Sequence, residues 1–161
     1  LKIKDKIIVK ALNKFKGLPH RQEIVFSKRK ILCINDSKAT SFDASFQSLL
    51  NYNKIYWIVG GLPKLKDKFY LNDVKKKIIK AYVIGNKVSF FIKQIKKSIP
   101  YKISRNLQNA VNDIHKDLKL DKNVANTILL SPAAASYDQF KSFENRGTYF
   151  KNLIKKKFKG N

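Results

Sequence analysis

The chain has 161 residues, of which 43% are hydrophobic, and its formal net charge is +24 at pH 7. This length and hydrophobic content suit one domain with one core and exclude a chain that is disordered throughout. The single cysteine, Cys33, excludes a disulfide framework and indicates a reducing compartment. Neither a signal peptide nor an apolar run long enough to cross a membrane is evident, so we expect a cytoplasmic protein without membrane contacts.

The basic excess has two interpretations. A field of this strength attracts nucleic acid or anionic lipid. However, only four of the 35 basic residues are arginine, the side chain that suits two-pronged contacts to phosphate and guanine. We therefore favour a solvated lysine surface and no specific nucleic-acid partner. A basic nucleic-acid-binding module is the alternative, and aromatic residues interleaved with basic ones on exposed strands would support it.

The chain opens at Leu1 and contains no methionine, so we expect a piece of a longer protein. Residues 1–16 are expected to be the end of a preceding domain or a linker. Beyond them, β-branched and aromatic runs predict strands, and apolar stripes at helical spacing predict helices. The predicted strands are 23–26, 31–35, 54–59, 81–84, 102–104 and 127–130. The predicted helices cover 42–50, 88–95, 107–118 and 140–154, with a weaker candidate at 67–77.

Alternating strands and helices predict an α/β fold with a mostly parallel sheet of about six strands and helices on both faces. The first two strands are close in sequence, so we expect a hairpin that makes one edge strand antiparallel. In such sheets, ligands bind beyond the carboxyl ends of the strands. Three loops that follow predicted strands should therefore converge on one site: residues 35–40, 60–64 and 131–136.

Two of these loops end in a helix-capping pattern. Thr40 and Ser136 each precede a helical stripe. Asp43 follows Thr40 by three residues and Gln139 follows Ser136 by three, so both pairs match the capping-box pattern. Each is then either a plain helix cap or part of a carboxylate site built from the free amides at two helix ends.

The remaining candidates are charged. Lys64 follows a Gly-Gly turn that lets the backbone approach an anion, although a lysine of this chain is by default a surface residue. Asp36 lies at a strand end and has three possible roles: to accept hydrogen bonds from ribose hydroxyls, to orient Lys38, or to cap a turn. Arg21, after His20 and a Gly-Leu-Pro turn, suits a phosphate. The residues alone indicate a polar, cationic cleft for an anionic ligand.

Four stretches together resemble one family: FKGLPHR at 15–21, NDSKAT at 35–40, SPAAASYDQF at 131–140 and FENRG at 143–147. Their order and spacing are similar to the C-terminal domain of the UDP-N-acetylmuramoyl-L-alanine–D-glutamate ligases, a branch of the Mur ligase family. The resemblance assigns 1–16 to the end of a central domain and 17–161 to the amino-acid-binding domain. Ala134, Tyr137 and Ser41 depart from the residues common in the family, and none of them removes a charged group.

The resemblance implies a Rossmann-like domain of a monomeric ligase whose ATP and Mg²⁺ are held mainly by the central domain. ATP would phosphorylate the alanyl carboxylate of UDP-N-acetylmuramoyl-L-alanine, bound by an N-terminal domain, and the amine of D-glutamate would attack the acyl phosphate. This chain alone would contain no catalytic residue and no metal ligand, and would be inactive. A non-catalytic amino-acid-binding domain is a further alternative. The implied contacts are Thr40, Lys64, Ser136, Tyr137 and Phe143 for D-glutamate, and His20, Arg21, Asp36 and Lys38 for ATP.

Overall fold

The six predicted strands are all present in a computed structural model, which describes residues 3–15, 17–28, 30–118 and 125–158. Their bounds are β1 (Glu23–Lys28), β2 (Ile31–Asn35), β3 (Ile55–Gly60), β4 (Ile78–Ile84), β5 (Tyr101–Arg105) and β6 (Asn126–Leu130). The sheet order is β1-β2-β6-β3-β4-β5. The β1–β2 pair is antiparallel and every other pair is parallel. The α/β fold with an antiparallel edge strand is thus confirmed.

Five α-helices are described: α1 (Asp5–Lys14), α2 (Phe42–Asn51), α3 (Val88–Ile95), α4 (Leu107–Leu118) and α5 (Phe143–Phe158). The weaker helix predicted at 67–77 is wrong, since only a short 3₁₀ turn forms there, at Lys75–Lys77. The turn-favouring pair Asn72-Asp73 lies in the middle of this segment, and residues of that kind compete with a helix by hydrogen-bonding to nearby backbone groups.

Both predicted capping boxes are also wrong. The N-cap of α2 is Ser41 rather than Thr40, and it makes no side-chain capping bond. Residues 136–140 form a hydrogen-bonded turn, and α5 begins only at Phe143. Serine, threonine and aspartate side chains are common in turns as well as at helix ends. Two residues at capping-box spacing therefore do not distinguish a turn from the start of a helix.

The two faces of the sheet carry separate apolar layers, because successive side chains of a strand point to opposite faces. Along β3, Trp57 and Val59 join the layer beneath α2 and α3, whereas Tyr56 and Ile58 join the layer beneath α4 and α5. The large aromatic side chains Trp57, Tyr82, Phe42, Phe91 and Phe150 are fully buried in these layers. Their burial does not favour the nucleic-acid alternative, which would place aromatic residues on exposed strands.

Helix α1 stands apart from this core, since none of its residues is buried. Its apolar side chains are exposed, including Ile7 at 59% and Leu12 at 66%, and Phe15 just beyond the helix is 63% exposed.

Among the described residues, no helix is long and apolar enough to cross a membrane.

Gly60 has less room for a side chain than any other described glycine. It ends β3 with φ of 133°, and a Cβ placed on it would lie 2.0 Å from the carbonyl oxygen of Ile84. This φ is reached almost only by glycine, and the neighbouring atoms belong to backbone that cannot rotate away.

We expect Gly60→Ala to lower the free energy of unfolding by about 3–5 kcal/mol, from backbone strain and overpacking together. Urea denaturation of the purified chain measures this change. Gly17→Ala is the matched control, because Gly17 also has positive φ but no atom within 4 Å of its Cβ position. A Gly60→Ala chain no less stable than Gly17→Ala would contradict the close approach.

Candidate functional site

The loops after β2, β3 and β6 meet at one edge of the sheet, as the sequence predicts. The Asp36 amide donates to the Leu130 carbonyl at 2.8 Å, and the Gly60 amide donates to the Pro132 carbonyl at 2.9 Å. Leu62 and Ala135 exchange two backbone hydrogen bonds, both of 2.9 Å. Because these bonds join backbone to backbone, they fix the relative positions of the three loops.

His20, Lys38 and Phe143 form one group at this edge. The Lys38 ammonium lies 3.9 Å from the centre of the Phe143 ring, and the His20 ring packs edge-on against the same phenylalanine. The backbone of Lys38 donates to the His20 carbonyl at 3.0 Å. The structure therefore brings into contact two residues that the resemblance assigns to different ligands, Lys38 and Phe143.

A cleft of about 230 Å³ lies beside this group, and Arg21, Asp36 and Lys38 line it. The Asp36 carboxylate is already engaged, because it accepts hydrogen bonds from the hydroxyls of Ser48 and Ser131 and from the Gln22 amide. Burial raises the pKa of Asp36 despite these hydrogen bonds. Its observed role is to hold the cleft wall together.

Thr40 and Lys64 lie on segments that meet at the amino end of α2. Thr40 is half-buried, and Lys64 is exposed on the loop after β3. The first amide of α2, that of Phe42, donates to the Asp67 carboxylate at 2.9 Å. The carboxylate site expected at this helix end is thus occupied by a side chain of the Lys64 loop.

Ser136 and Tyr137 belong to the turn after β6. Ser136 is buried, and its carbonyl accepts from the amides of Gln139 and Phe140. The Tyr137 side chain is 71% exposed. Ser136 directly follows Ala135, so the backbone pairing with Leu62 brings it close to the loop that carries Lys64.

Arg146, on α5, holds two of the site loops together, and the sequence analysis gave it no role. Its side chain is 1% exposed and donates to the Ser37 hydroxyl, to the Ser37 carbonyl and to the Ala134 carbonyl, at 2.8–3.0 Å. Its second terminal nitrogen, Nη1, is buried without a hydrogen-bond partner. Burial lowers the pKa of Arg146 to about 10. A charged residue on the apolar stripe of a predicted helix was the signal that could have identified it.

Glu23, at the start of β1, was also missed. Its carboxylate accepts from the Lys151 ammonium at 2.6 Å, from the His20 amide at 3.1 Å and from the Asn35 side chain at 3.1 Å. His20 has φ of 63°, a strained conformation for a residue with a side chain. Glu23 therefore holds the turn of His20 and Arg21 against the sheet.

Gly147 is required next to the same turn. A Cβ on Gly147 would lie 2.2 Å from Nδ1 of His20 and 3.0 Å from the Asn35 side-chain oxygen. Only a residue without a side chain lets α5 pack this closely on His20, which explains the glycine in the FENRG stretch.

The cleft residues fit one part of a nucleotide. Arg21 and Lys38 are cations suited to phosphate, but a volume of about 230 Å³ is below the range of pockets that enclose a whole small-molecule ligand. Among the described residues, no group of three or more His, Cys, Asp or Glu side chains is placed to hold a metal ion. The fold and the cleft together define an α/β domain with a cationic cleft beyond the carboxyl ends of its strands, which is where sheets of this kind bind ligands.

Comparison with known proteins identifies the family. The chain is 42% identical over 148 residues to the UDP-N-acetylmuramoylalanine–D-glutamate ligase of Rhizobium meliloti, which covers 92% of this chain and 32% of that protein. It is 41% identical to the ligase of that name from Rhodospirillum rubrum, over 94% of this chain and 32% of that protein. It is 42% identical to the one from Bartonella henselae, over 96% of this chain and 33% of that protein. No family model matches the chain.

The chain therefore belongs to the family of these ligases, a branch of the Mur ligases, and is similar to their C-terminal domain. It spans about a third of the length of the curated relatives that it matches. The resemblance found in the four sequence stretches is confirmed.

A pH-dependent prediction follows from Glu23. Burial opposes its ionisation, but the hydrogen bonds from Lys151 and from the His20 backbone outweigh burial, so its pKa lies below the usual 4.5. A carboxylate with a lowered folded-state pKa stabilises the fold above its unfolded-state pKa, and this stability is lost as the pH falls through the folded-state value.

We expect Glu23→Gln to lower the free energy of unfolding at pH 7 by about 2 kcal/mol, because a half-buried charged acceptor of three hydrogen bonds is lost. The difference from the unmodified chain should shrink as the pH falls below about 4.5. Urea titrations at several pH values measure it. Asp73→Asn, at an exposed position, is the control. A difference that does not change with pH would show that the charge of Glu23 is not what stabilises the turn.

Proposed function

We propose that this chain is the amino-acid-binding part of an ATP-dependent ligase that adds D-glutamate to UDP-N-acetylmuramoyl-L-alanine in peptidoglycan synthesis. The observation that carries the proposal is the match to ligases of this name over 92–96% of the chain. The meeting of the loops after β2, β3 and β6 at one edge supports it, because that edge is where such a sheet binds ligands.

D-Glutamate would lie between the loop of Lys64 and Thr40, beside the amino end of α2, where the Phe42 amide already has the Asp67 carboxylate as its acceptor. Lys64 would pair with a carboxylate of the amino acid, and Thr40 would donate a hydrogen bond from its hydroxyl. Ser136, the backbone at Tyr137 and the ring of Phe143 would complete the pocket. Holding the amine in one orientation is the contribution of this domain to the rate, since orientation alone removes a large part of a two-substrate barrier.

Bound ATP would supply the phosphoryl group that activates the alanyl carboxylate of the acceptor as an acyl phosphate. Arg21 and Lys38 would bind the phosphate end of the nucleotide, and their charge would offset the charge that develops as phosphate leaves. His20 and Asp36 would fix the positions of Arg21 and Lys38 from the turn before β1 and the end of β2. We assign Mg²⁺ to a part of the ligase outside this chain.

Residues 1–16 would belong to the end of the central domain, and 17–161 to the C-terminal domain. The exposed apolar side chains of α1 support this boundary, because a surface of that kind is usually covered. The ligase would be a cytoplasmic monomer, and this chain alone would be inactive.

Phosphate release from ATP by the full-length ligase tests the function. We expect release to require UDP-N-acetylmuramoyl-L-alanine and D-glutamate together, and to fail when L-glutamate replaces D-glutamate. If a folded, ATP-binding protein releases no phosphate with either D-glutamate or L-glutamate, the family relationship extends to the fold but not to the substrate.

The assignment of Lys64 has its own test. In the full-length ligase, Lys64→Ala should raise the KM for D-glutamate by about tenfold or more, because an ion pair in the bound state is lost, and should leave the KM for ATP nearly unchanged. Lys66→Ala, a change of equal charge in the same exposed loop, is the matched control. An unchanged KM for D-glutamate in Lys64→Ala would remove Lys64 from the pocket.

A further inference from the structure

The amino end of α2 is capped by a residue from a different part of the chain. Its own N-cap, Ser41, makes no side-chain capping bond. Instead, the Phe42 amide donates to the carboxylate of Asp67, which lies 25 residues further along the chain. A carboxylate at this end also interacts favourably with the helix dipole, so the contact is stabilising.

Asp67 is joined closely to Lys64. The Asp67 amide donates to the Lys64 carbonyl at 3.2 Å and closes a tight turn between them. The Asp67 carbonyl also accepts from the Gln94 side chain at 2.9 Å, which ties the turn to α3. Lys64 and Asp67 are thus the first and last residues of one turn, and Asp67 is hydrogen-bonded to both α2 and α3.

The Lys64 loop is anchored at both of its ends. Before Lys64, Leu62 pairs with Ala135 of the loop that leads to Ser136. After Lys64, Asp67 is bonded to the Phe42 amide, and the Phe69 ring stacks on the Phe42 ring with centres 4.3 Å apart. An exposed lysine between two anchors loses less conformational freedom on binding a ligand than one on a free loop.

We infer that Asp67 is a positioning residue, which sets the place of Lys64 relative to Thr40 by fastening the Lys64 loop to the amino end of α2. This inference rests on the proposed function of Lys64. We assign Asp67 no contact with the ligand, because its carboxylate accepts from the Phe42 amide and its charge is the same as that of the D-glutamate carboxylates. Its effect on D-glutamate binding therefore passes through Lys64.

A double-mutant cycle in the full-length ligase tests this inference. Asp67→Ala should raise the KM for D-glutamate about tenfold, with little effect on the KM for ATP. In a Lys64→Ala background, Asp67→Ala should add little further. Asp67→Asn should lie closer to the unmodified ligase, since its side-chain oxygen still accepts from the Phe42 amide. Asp73→Ala, which removes the same charge from an exposed position nearby, should leave both KM values unchanged.

The contact itself is measured by amide hydrogen exchange on this chain. Asp67→Ala should speed exchange of the Phe42 amide about fivefold to tenfold, the effect expected for loss of a helix cap. The Leu49 amide, within the same helix, should be unaffected. Unchanged exchange at Phe42 would overturn the inference.

The cycle separates the two ways in which the kinetics can disagree. If Lys64→Ala raises the KM for D-glutamate and Asp67→Ala does not, or if Asp67→Ala has the same effect in both backgrounds, the positioning role is overturned and the proposed function stands. If Lys64→Ala itself has no effect, the assignment of Lys64 fails, and the inference fails with it.

Discussion

The buried guanidinium of Arg146 is the interaction on which the site depends. It donates to Ser37 in the loop after β2 and to Ala134 in the loop after β6, while its own helix, α5, packs on the opposite face from α2. Carbonyl groups at strand ends that are removed from water need donors, and a lost donor costs about 1–3 kcal/mol per group. A single side chain with five donors in a rigid fork meets this need for two loops at once.

The loops held by Arg146 carry most of the candidate residues. Ser37 is followed by Lys38 and Thr40, and Ala134 is followed by Ser136. The hydroxyl of Ser37 also donates to the Phe143 carbonyl at 2.8 Å, one turn before Arg146 on α5. The Lys38 ammonium lies over the Phe143 ring in a cation–π contact. This contact gives the lysine side chain a preferred direction. Loops that are fixed by Arg146, with the Lys38 ammonium held against the Phe143 ring, suit a domain that orients a substrate.

The fold was largely predictable from the sequence, because the apolar residues repeat with the period of each element. All six strands and the four helices that cover the sheet were anticipated, with boundaries shifted by a few residues. Helix α1 was missed, because residues 1–16 were treated as the end of a domain or a linker. A short amphipathic segment that buries none of its residues is not distinguished from a linker by its position in the chain. The region 67–77 failed because lysine is both a common helix former and the commonest residue of this chain.

The site was less predictable, because its support is made by contacts between distant residues. The convergence of the loops follows from the rule that parallel strands end at one edge, so it could be derived. The bond between Asp67 and the Phe42 amide could not, since nothing in either segment identifies the other as its partner. The roles of Glu23 and Arg146 depend likewise on the packing of α5 against β1 and β2. Local patterns such as the capping boxes gave the wrong partners for the same reason.

The burial of one arginine contributes to the electrostatic character of the site in a way that exposed lysines do not. Exposed lysines are surrounded by water and salt, which screen their fields beyond about 10 Å. The hydrogen-bond partners of Arg146 are the neutral hydroxyl and carbonyl of Ser37 and the carbonyl of Ala134, and the negative charge of Asp138 acts on it without a direct hydrogen bond. Although burial lowers its pKa to about 10, the guanidinium remains protonated at neutral pH. A charge that is held below the loops in a region of low dielectric acts strongly at short range. An anionic ligand at the carboxyl ends of the strands would therefore be attracted by a charge that the fold itself holds in place, in addition to the charges of the exposed lysines.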